Sequence, residues 1–441
     1  MKKAVLSGIA LMWFAAAAYA QTNTANLDQN GISQSGTINQ TGQEQTATIL
    51  QKGTGNLNNI GVILQSSKVA QTGIISQMDG AKSNSANINQ TDLIPTSSST
   101  DLNTASIQQI TGAIGGSDLN IAQITQSGRG AAASIEQKNY STSNQASIVQ
   151  ALAGAGTATI HQNGSASQNT FSVGQRATIS QMGGNHTASI DQSAYSANNQ
   201  SYITQTGGGA TNGNTAITQQ NNTSGQNIIT MNQSGSLLNA TVEQSFESYN
   251  NNVKLTQSGS QNNATITETL VSDGNSVESS QSFVFNNLYV EQKNSSINNK
   301  VYTNQGGFIG TITVRQNGAS ESVATVNQNT NFIGLFNLTD LMQTGHNQVV
   351  TVSQDNSSNT IRFKQEDGGG TKGGNVATLT QLGDTNVIQG IDGTGGFGLQ
   401  SGTTNTLTIS QNSSGTILSN IANVSQVGTG NIGSITQVRG N

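Results

Sequence analysis

Side-chain amides recur along this chain at fixed intervals. An amide carries two donors and an acceptor, so it can hydrogen-bond to a copy of itself. Gln29, Gln40 and Gln51 lie eleven residues apart, as do Gln126 and Gln137, and Gln426 and Gln437. In the middle of the chain the series Gln233, Gln244, Gln257, Glu268, Gln281, Gln292, Gln305, Gln316 and Gln328 alternates steps of eleven and mostly thirteen residues. The true repeat is therefore about 24 residues with two half-units. Asparagines open many half-units, among them Asn23, Asn420 and Asn431. A buried amide left without a partner costs roughly 1–3 kcal/mol. Stacking the same amide on every rung removes that cost, each bonding to its copy above and below.

No other chemistry is legible. His161, His186 and His346 stand apart from any carboxylate at ligand spacing and read as ordinary surface or arc residues. There is no G-x-S-x-G elbow. The Gly-rich runs 368–374 and 393–398 lack a P-loop ending and a calcium nonapeptide. The reading is a non-enzyme with no cofactor and no metal. Sixteen basic residues in 441 argue against nucleic acid as a primary partner.

The amides need elements that point them the same way. From Asn420 to Gln437 one pattern is written twice: Asn420, Ala422, Val424 and Gln426, then Asn431, Gly433, Ile435 and Gln437. Alternation with period two is a strand signal, because successive side chains leave opposite faces. Val427-Gly428-Thr429-Gly430 between them is a tight arc. The face holding Asn, Ala or Gly, Ile or Val, and Gln is placed inside. Outward positions are mostly Thr, Ser and Asn, with charges such as Asp28, Glu136, Asp191, Lys254 and Arg362 acting as solvated or gatekeeping residues.

Carried along the chain, the pattern predicts about thirty strands. They make an all-β, two-sheet β-solenoid, a flattened β-helix of about fifteen two-strand rungs, roughly 70 Å long with uncapped ends. One edge is tight and the other looser. Residues 91–102, with the only proline, Pro95, should bulge as a loop. Between Gln162 and Gln181 two registers fit: Asn169-Phe171-Val173-Gln175 and Gln175-Ala177-Ile179-Gln181. Residues 389–403 read as a Gly-rich interruption after an uncertain strand near Ile388.

Only 8% of residues are charged, and Asn and Gln make up close to a quarter of the chain. Disordered chains of low hydrophobicity lack the β-branched residues that recur here. The first twenty residues read as a signal peptide: Lys2 and Lys3, an apolar run from Ala4 to Ala17, then Ala18-Tyr19-Ala20 before Gln21. Residues 21–441 are the repeat region. Its 14 basic and 21 acidic residues give a net charge of −7. No second apolar stretch reaches the roughly 18 residues of a spanning helix, so no transmembrane span is expected.

The unit N-x-A-x-[IV]-x-Q-x-G-x-x-N at Asn420–Asn431, with degenerate copies over nearly the whole mature chain, resembles the curlin repeat of bacterial curli subunits. The resemblance implies a functional amyloid: a secreted homopolymer fibre at the surface of a Gram-negative bacterium, serving adhesion and biofilm matrix. It also implies a curli-type secretion channel and a nucleator subunit as partners. Within such a fibre the ladder residues and the two end rungs are the working parts. A second reading is a monomeric binding solenoid, either an ice-binding face or an adhesin stalk. Outward pairs such as Thr46/Thr48 and Thr265/Thr267 suit it, but Lys254, Tyr289/Glu291 and Arg362/Lys364 interrupt the array.

Overall fold

A computed structural model describes residues 22–53, 56–67, 70–91, 102–110, 119–138, 141–152, 155–164, 172–193, 196–208, 212–330, 336–356, 358–367, 374–390, 396–413 and 420–439. The expected signal peptide, the loop around Pro95, and Asn169 to Phe171 lie outside the described residues.

The described chain is all β, coiled so that it adds one strand to each of two sheets per turn. Every strand pair is parallel. One sheet has 16 strands, running from Ser35–Gly42 to Ile432–Arg439. The facing sheet begins at Thr24–Gln29 and is supplemented by short strands in the arcs. The architecture is the expected two-sheet β-solenoid.

Register holds residue types in columns. Ala47 lies between Ala25 and Gly73, Ile49 between Leu27 and Ile75, and Gln51 between Gln29 and Gln77. A one-residue slip would turn this buried Ile column outward, so the hydrophobic pattern fixes the pairing. In Gln45–Lys52 the burial alternates residue by residue. Ile49, Ile63, Ile75 and Ile88 are fully buried, and the core continues through Val352, Phe363 and Ile409.

The small residues of the repeat let the sheets interlock. A Cβ on Gly61 would meet the Ile49 Cγ2 of the facing sheet at 3.1 Å, and one on Gly73 would meet the Ile63 Cγ2 at 3.1 Å. Ala or Gly from one sheet thus receives Ile from the other, and the core is thin but closely packed.

The two edges turn differently. On the tight edge the residue two after Gln takes a left-handed conformation in many rungs, as at Gly235 (φ 144°) and Gly259 (φ 89°). A Cβ on Gly259 would lie 2.0 Å from the Phe283 carbonyl oxygen of the next rung, so glycine is required there. The looser edge is stiffened by two-residue strands that stack in turn: Ser224–Gly225, Ser248–Tyr249, Ser272–Asp273 and Ser296–Ile297.

Both ambiguous segments take a definite place. Arg176–Gly183 pairs with Gln145–Leu152 and with Gln200–Gly207, so Gln175-Ala177-Ile179-Gln181 is the set in the stack. Ser172–Val173 belongs to the looser edge, paired with Ser141–Thr142. After residue 386 one rung is built in two pieces. Thr360–Glu366 pairs first with Val387–Gln389 and then with Gly398–Thr403. The segment 389–403, expected as an interruption, therefore returns to the sheet at Gly398.

Candidate functional site

Strand pairing in register stacks the glutamines of each sheet into a ladder. In one sheet the Nε2 of Gln29 donates to the Oε1 of Gln51 at 2.6 Å, Gln51 to Gln77 at 2.7 Å, and Gln109 to Gln137 at 2.8 Å. Higher in the same sheet Gln220 donates to Gln244 at 3.0 Å, Gln292 to Gln316 at 2.6 Å, and Gln400 to Gln426 at 2.8 Å. In the facing sheet Gln40 donates to Gln65 and Gln126 to Gln150, each at 2.9 Å. Gln233, Gln257 and Gln281 each pass a 2.8 Å bond to the next rung, Gln305 a 3.2 Å bond to Gln328, and Gln411 a 2.6 Å bond to Gln437. The predicted glutamines all stand in these two ladders, and the bonds named run in one sense, towards the C-terminus.

The second N–H of a ladder amide ties the sheets together. Gln51 Nε2 also donates to the Ser35 carbonyl at 3.0 Å, and Gln257 Nε2 to the Asn239 carbonyl at 3.1 Å. Each glutamine so placed joins its rung to the next rung and its sheet to the facing sheet.

Asparagine works differently from the expectation of amide-on-amide stacking. Asn23 Oδ1 accepts the backbone N–H of Gln45, and its Nδ2 donates to the Gly42 carbonyl, both at 3.1 Å. The backbone N–H of Asn431 donates to Asn405 Oδ1 at 2.9 Å, and Asn431 Nδ2 to the Val427 carbonyl at 2.9 Å. Asn420 alone of the three predicted asparagines bonds amide to amide, to Asn386 Oδ1 at 3.0 Å. Asparagine sits where the chain leaves the arc, and its shorter side chain meets backbone there. It satisfies arc groups that a solenoid would otherwise bury unpaired.

The serine three residues earlier lies outside the alternating strand pattern. Ser248 Oγ accepts from Asn251 Nδ2, Ser272 from Asn275 (both 2.7 Å), and Ser296 from Asn299 at 2.6 Å. The recurring S-x-x-N spacing is the signal that marks the looser edge. Gln400 is likewise masked by the Gly-rich segment around it, although it accepts from Gln365 at 2.7 Å.

His186 is a buried member of the arc series. Its Nδ1 accepts the backbone N–H of Asn214 at 3.1 Å, the role Asn103 Oδ1 plays for Ala131, and its Nε2 lies 3.1 Å from the Met182 carbonyl. Burial holds its pKa below the usual 6.5, against backbone hydrogen bonds to Met182 and Gly207 that raise it. A depressed histidine contributes stability that is present above its unfolded pKa and is lost as pH falls through the folded value. Wild type should therefore lose more thermal stability than His186→Asn between about pH 7 and pH 5. Equal losses would show that the imidazole stays outside the titration. His161, by contrast, is near Glu136 at 3.8 Å, and His346 is exposed beside Ser320.

Outward charges pair with each other. Asp28 pairs with Lys52, Lys254 with Glu278 at 2.6 Å, and Arg315 with Asp340 at 2.9 Å, in each case between neighbouring rungs. Exposed pairs of this kind contribute about 0–1 kcal/mol. Among the described residues no group of three His, Cys, Asp or Glu side chains is placed to hold a metal. Among the same residues no helix is long and apolar enough to cross a membrane.

The ends of the coil are where the ladders stop. On the first rung Gln29 and Gln40 donate upward, and among the described residues no donor reaches either Oε1. On the last rung Gln426 and Gln437 each spend one N–H on a carbonyl, of Thr406 and Ile421, and no acceptor among the described residues meets the other. Inner-face Leu27 is 46% exposed, whereas its column neighbour Ile49 is fully buried. Compared with protein-family models and with curated proteins, the chain matches none.

Proposed function

We propose that this chain is the secreted structural subunit of an extracellular curli-like fibre, growing end to end by β-strand templating and serving adhesion and biofilm matrix. The observation that carries the reading is the polarity of the ladders. Acceptors open on Gln29 and Gln40, and donors remain on Gln426 and Gln437. A second copy stacked head to tail would continue both ladders, the strand register and the core column. An end strand with unpaired backbone groups is a template for such pairing. By the curlin resemblance, a curli-type secretion channel and a nucleator subunit are the proposed partners of export and initiation.

Electron microscopy and dye binding of purified mature protein should show unbranched fibres that seed fresh monomer. Replacing Gln426 and Gln437 with Ala should slow seeded elongation roughly tenfold, since each change removes a bond worth about 0.5–1.5 kcal/mol from the docking surface. Replacing outward Thr406 and Thr408 should leave elongation nearly unchanged. Equal slowing by both sets counts against the ladder mechanism, and a monomer stable at high concentration sinks the fibre reading.

A further inference from the structure

One rung of one ladder carries a carboxyl group where the others named carry amides. Glu268 is fully buried in the column of Gln244 and Gln292, in register with both. Gln244 Nε2 donates to Glu268 Oε2 at 2.6 Å. Beyond it the ladder lacks a donor: Glu268 Oε1 and Gln292 Oε1 are both buried and neither has a hydrogen-bond partner. Two acceptors on adjacent rungs of one column require a hydrogen between them.

We propose that Glu268 is held as a neutral carboxylic acid whose proton completes the ladder, Glu268 Oε1–H donating to Gln292 Oε1, and that this rung loosens when the proton leaves. A protonated carboxyl has one donor and keeps an acceptor, which is the hydrogen-bonding count a ladder position needs.

The alternative is to turn the Gln292 amide so that Nε2 faces an ionised Glu268. That removes the 2.6 Å bond from Gln292 to Gln316 Oε1. Gln316 cannot turn in response without losing its second bond, to the Ser322 carbonyl at 3.3 Å. The same constraint recurs above, at Gln343 to Val323 and Gln365 to Val349.

Among the described residues no cation compensates an ionised Glu268. On the strand below, Glu243 faces outward and accepts from Ser245. On the strand above, Glu291 and Lys293 pair with each other on the outer face. In the facing sheet Lys254 and Glu278 pair in solvent. Burial accordingly raises the Glu268 pKa from 4.5 to about 8, the Gln244 hydrogen bond opposing the rise. An acid raised on folding makes the folded state bind the extra proton between those two values. Stability is then full below the unfolded pKa and falls as pH rises towards the folded one. The proposal does not depend on the fibre reading, since it concerns the coil of a single chain.

Two measurements on the full chain test it. Infrared spectra at pH 6 should contain a neutral carboxylic-acid carbonyl band that Glu268→Gln removes and that fades as pH passes about 8. Hydrogen exchange over Asn263–Thr269 should become faster in wild type than in Glu268→Gln by up to tenfold per pH unit from about pH 4.5 upward. Taking the ratio of the two proteins at each pH cancels the intrinsic chemistry of exchange. Glu243→Gln should keep the wild-type profile. Absence of the band at pH 6, or a wild-type to Glu268→Gln ratio that stays flat with pH, overturns the proposal.

Discussion

Gln257→Ala should cost roughly 3–5 kcal/mol, although it removes only a small polar side chain. Gln257 donates to Gln281 at 2.8 Å and to the Asn239 carbonyl at 3.1 Å, and it accepts from Gln233 at 2.8 Å. Truncation leaves the buried amides of Gln233 and Gln281 and the part-buried Asn239 carbonyl each short of a partner, and water has no ready route to the two amides because Gln257 is fully buried. The outward neighbour Thr256→Ala should stay within about 0.5 kcal/mol. A long repeat array need not unfold in one step. The measurement is therefore hydrogen exchange resolved by strand. Protection should fall in Ile228–Ser236, Asn252–Ser260 and Ser276–Gln281, and much less in distant rungs. Loss spread evenly along the coil would mean that stability is pooled rather than local.

Phe363→Ala is expected to cost about 3–5 kcal/mol by the cavity it leaves. Phe363 is fully buried and is the largest residue of a core otherwise built from smaller side chains. Its size is matched to a gap. Its partner in the next rung is Gly398, where a Cβ would meet Phe363 Cδ2 at 3.2 Å. The ring fills the column at the place where the chain re-enters the sheet. Denaturant unfolding of Phe363→Ala should show the loss. Gly398→Ala in the Phe363→Leu background should be better tolerated than in wild type, since the crowding atom is gone. If Gly398→Ala costs the same in both backgrounds, the two residues do not share the space.

Much of this was readable because a solenoid is local and repetitive. The period of two in Asn420-Ala422-Val424-Gln426 names the buried face, and its recurrence names the coil. Two steps, eleven and thirteen, announce unlike edges, seen as a glycine arc at Gly259 and a serine–asparagine arc at Ser272–Asn275. Local pattern fails where an insertion falls inside a strand. The rung split between Val387–Gln389 and Gly398–Thr403 presents no continuous alternation, so Gln400 reads as part of a glycine-rich linker. It also fails where one residue type performs another's task, as at His186, whose ring nitrogen replaces an asparagine oxygen.

In the sequence by itself, alternation and step length assign most strand residues to a column, because one register buries the inward set that includes Ile49, Ile63, Ile75 and Ile88; between Gln162 and Gln181 they leave two. The stacking of glutamine on glutamine is legible in the spacing, but the further bonds of each column exist only in three dimensions. Glutamine reaches the next glutamine and the facing sheet, while asparagine at the arc meets backbone, a difference of one methylene that no spacing reveals. The direction of the ladders, the open acceptors at Gln29 and Gln40, and the missing donor between Glu268 and Gln292 likewise follow from side-chain geometry across rungs. Periodicity says which residues stack. The orientation of each amide depends on what its second N–H can reach, and that partner lies in the opposite sheet.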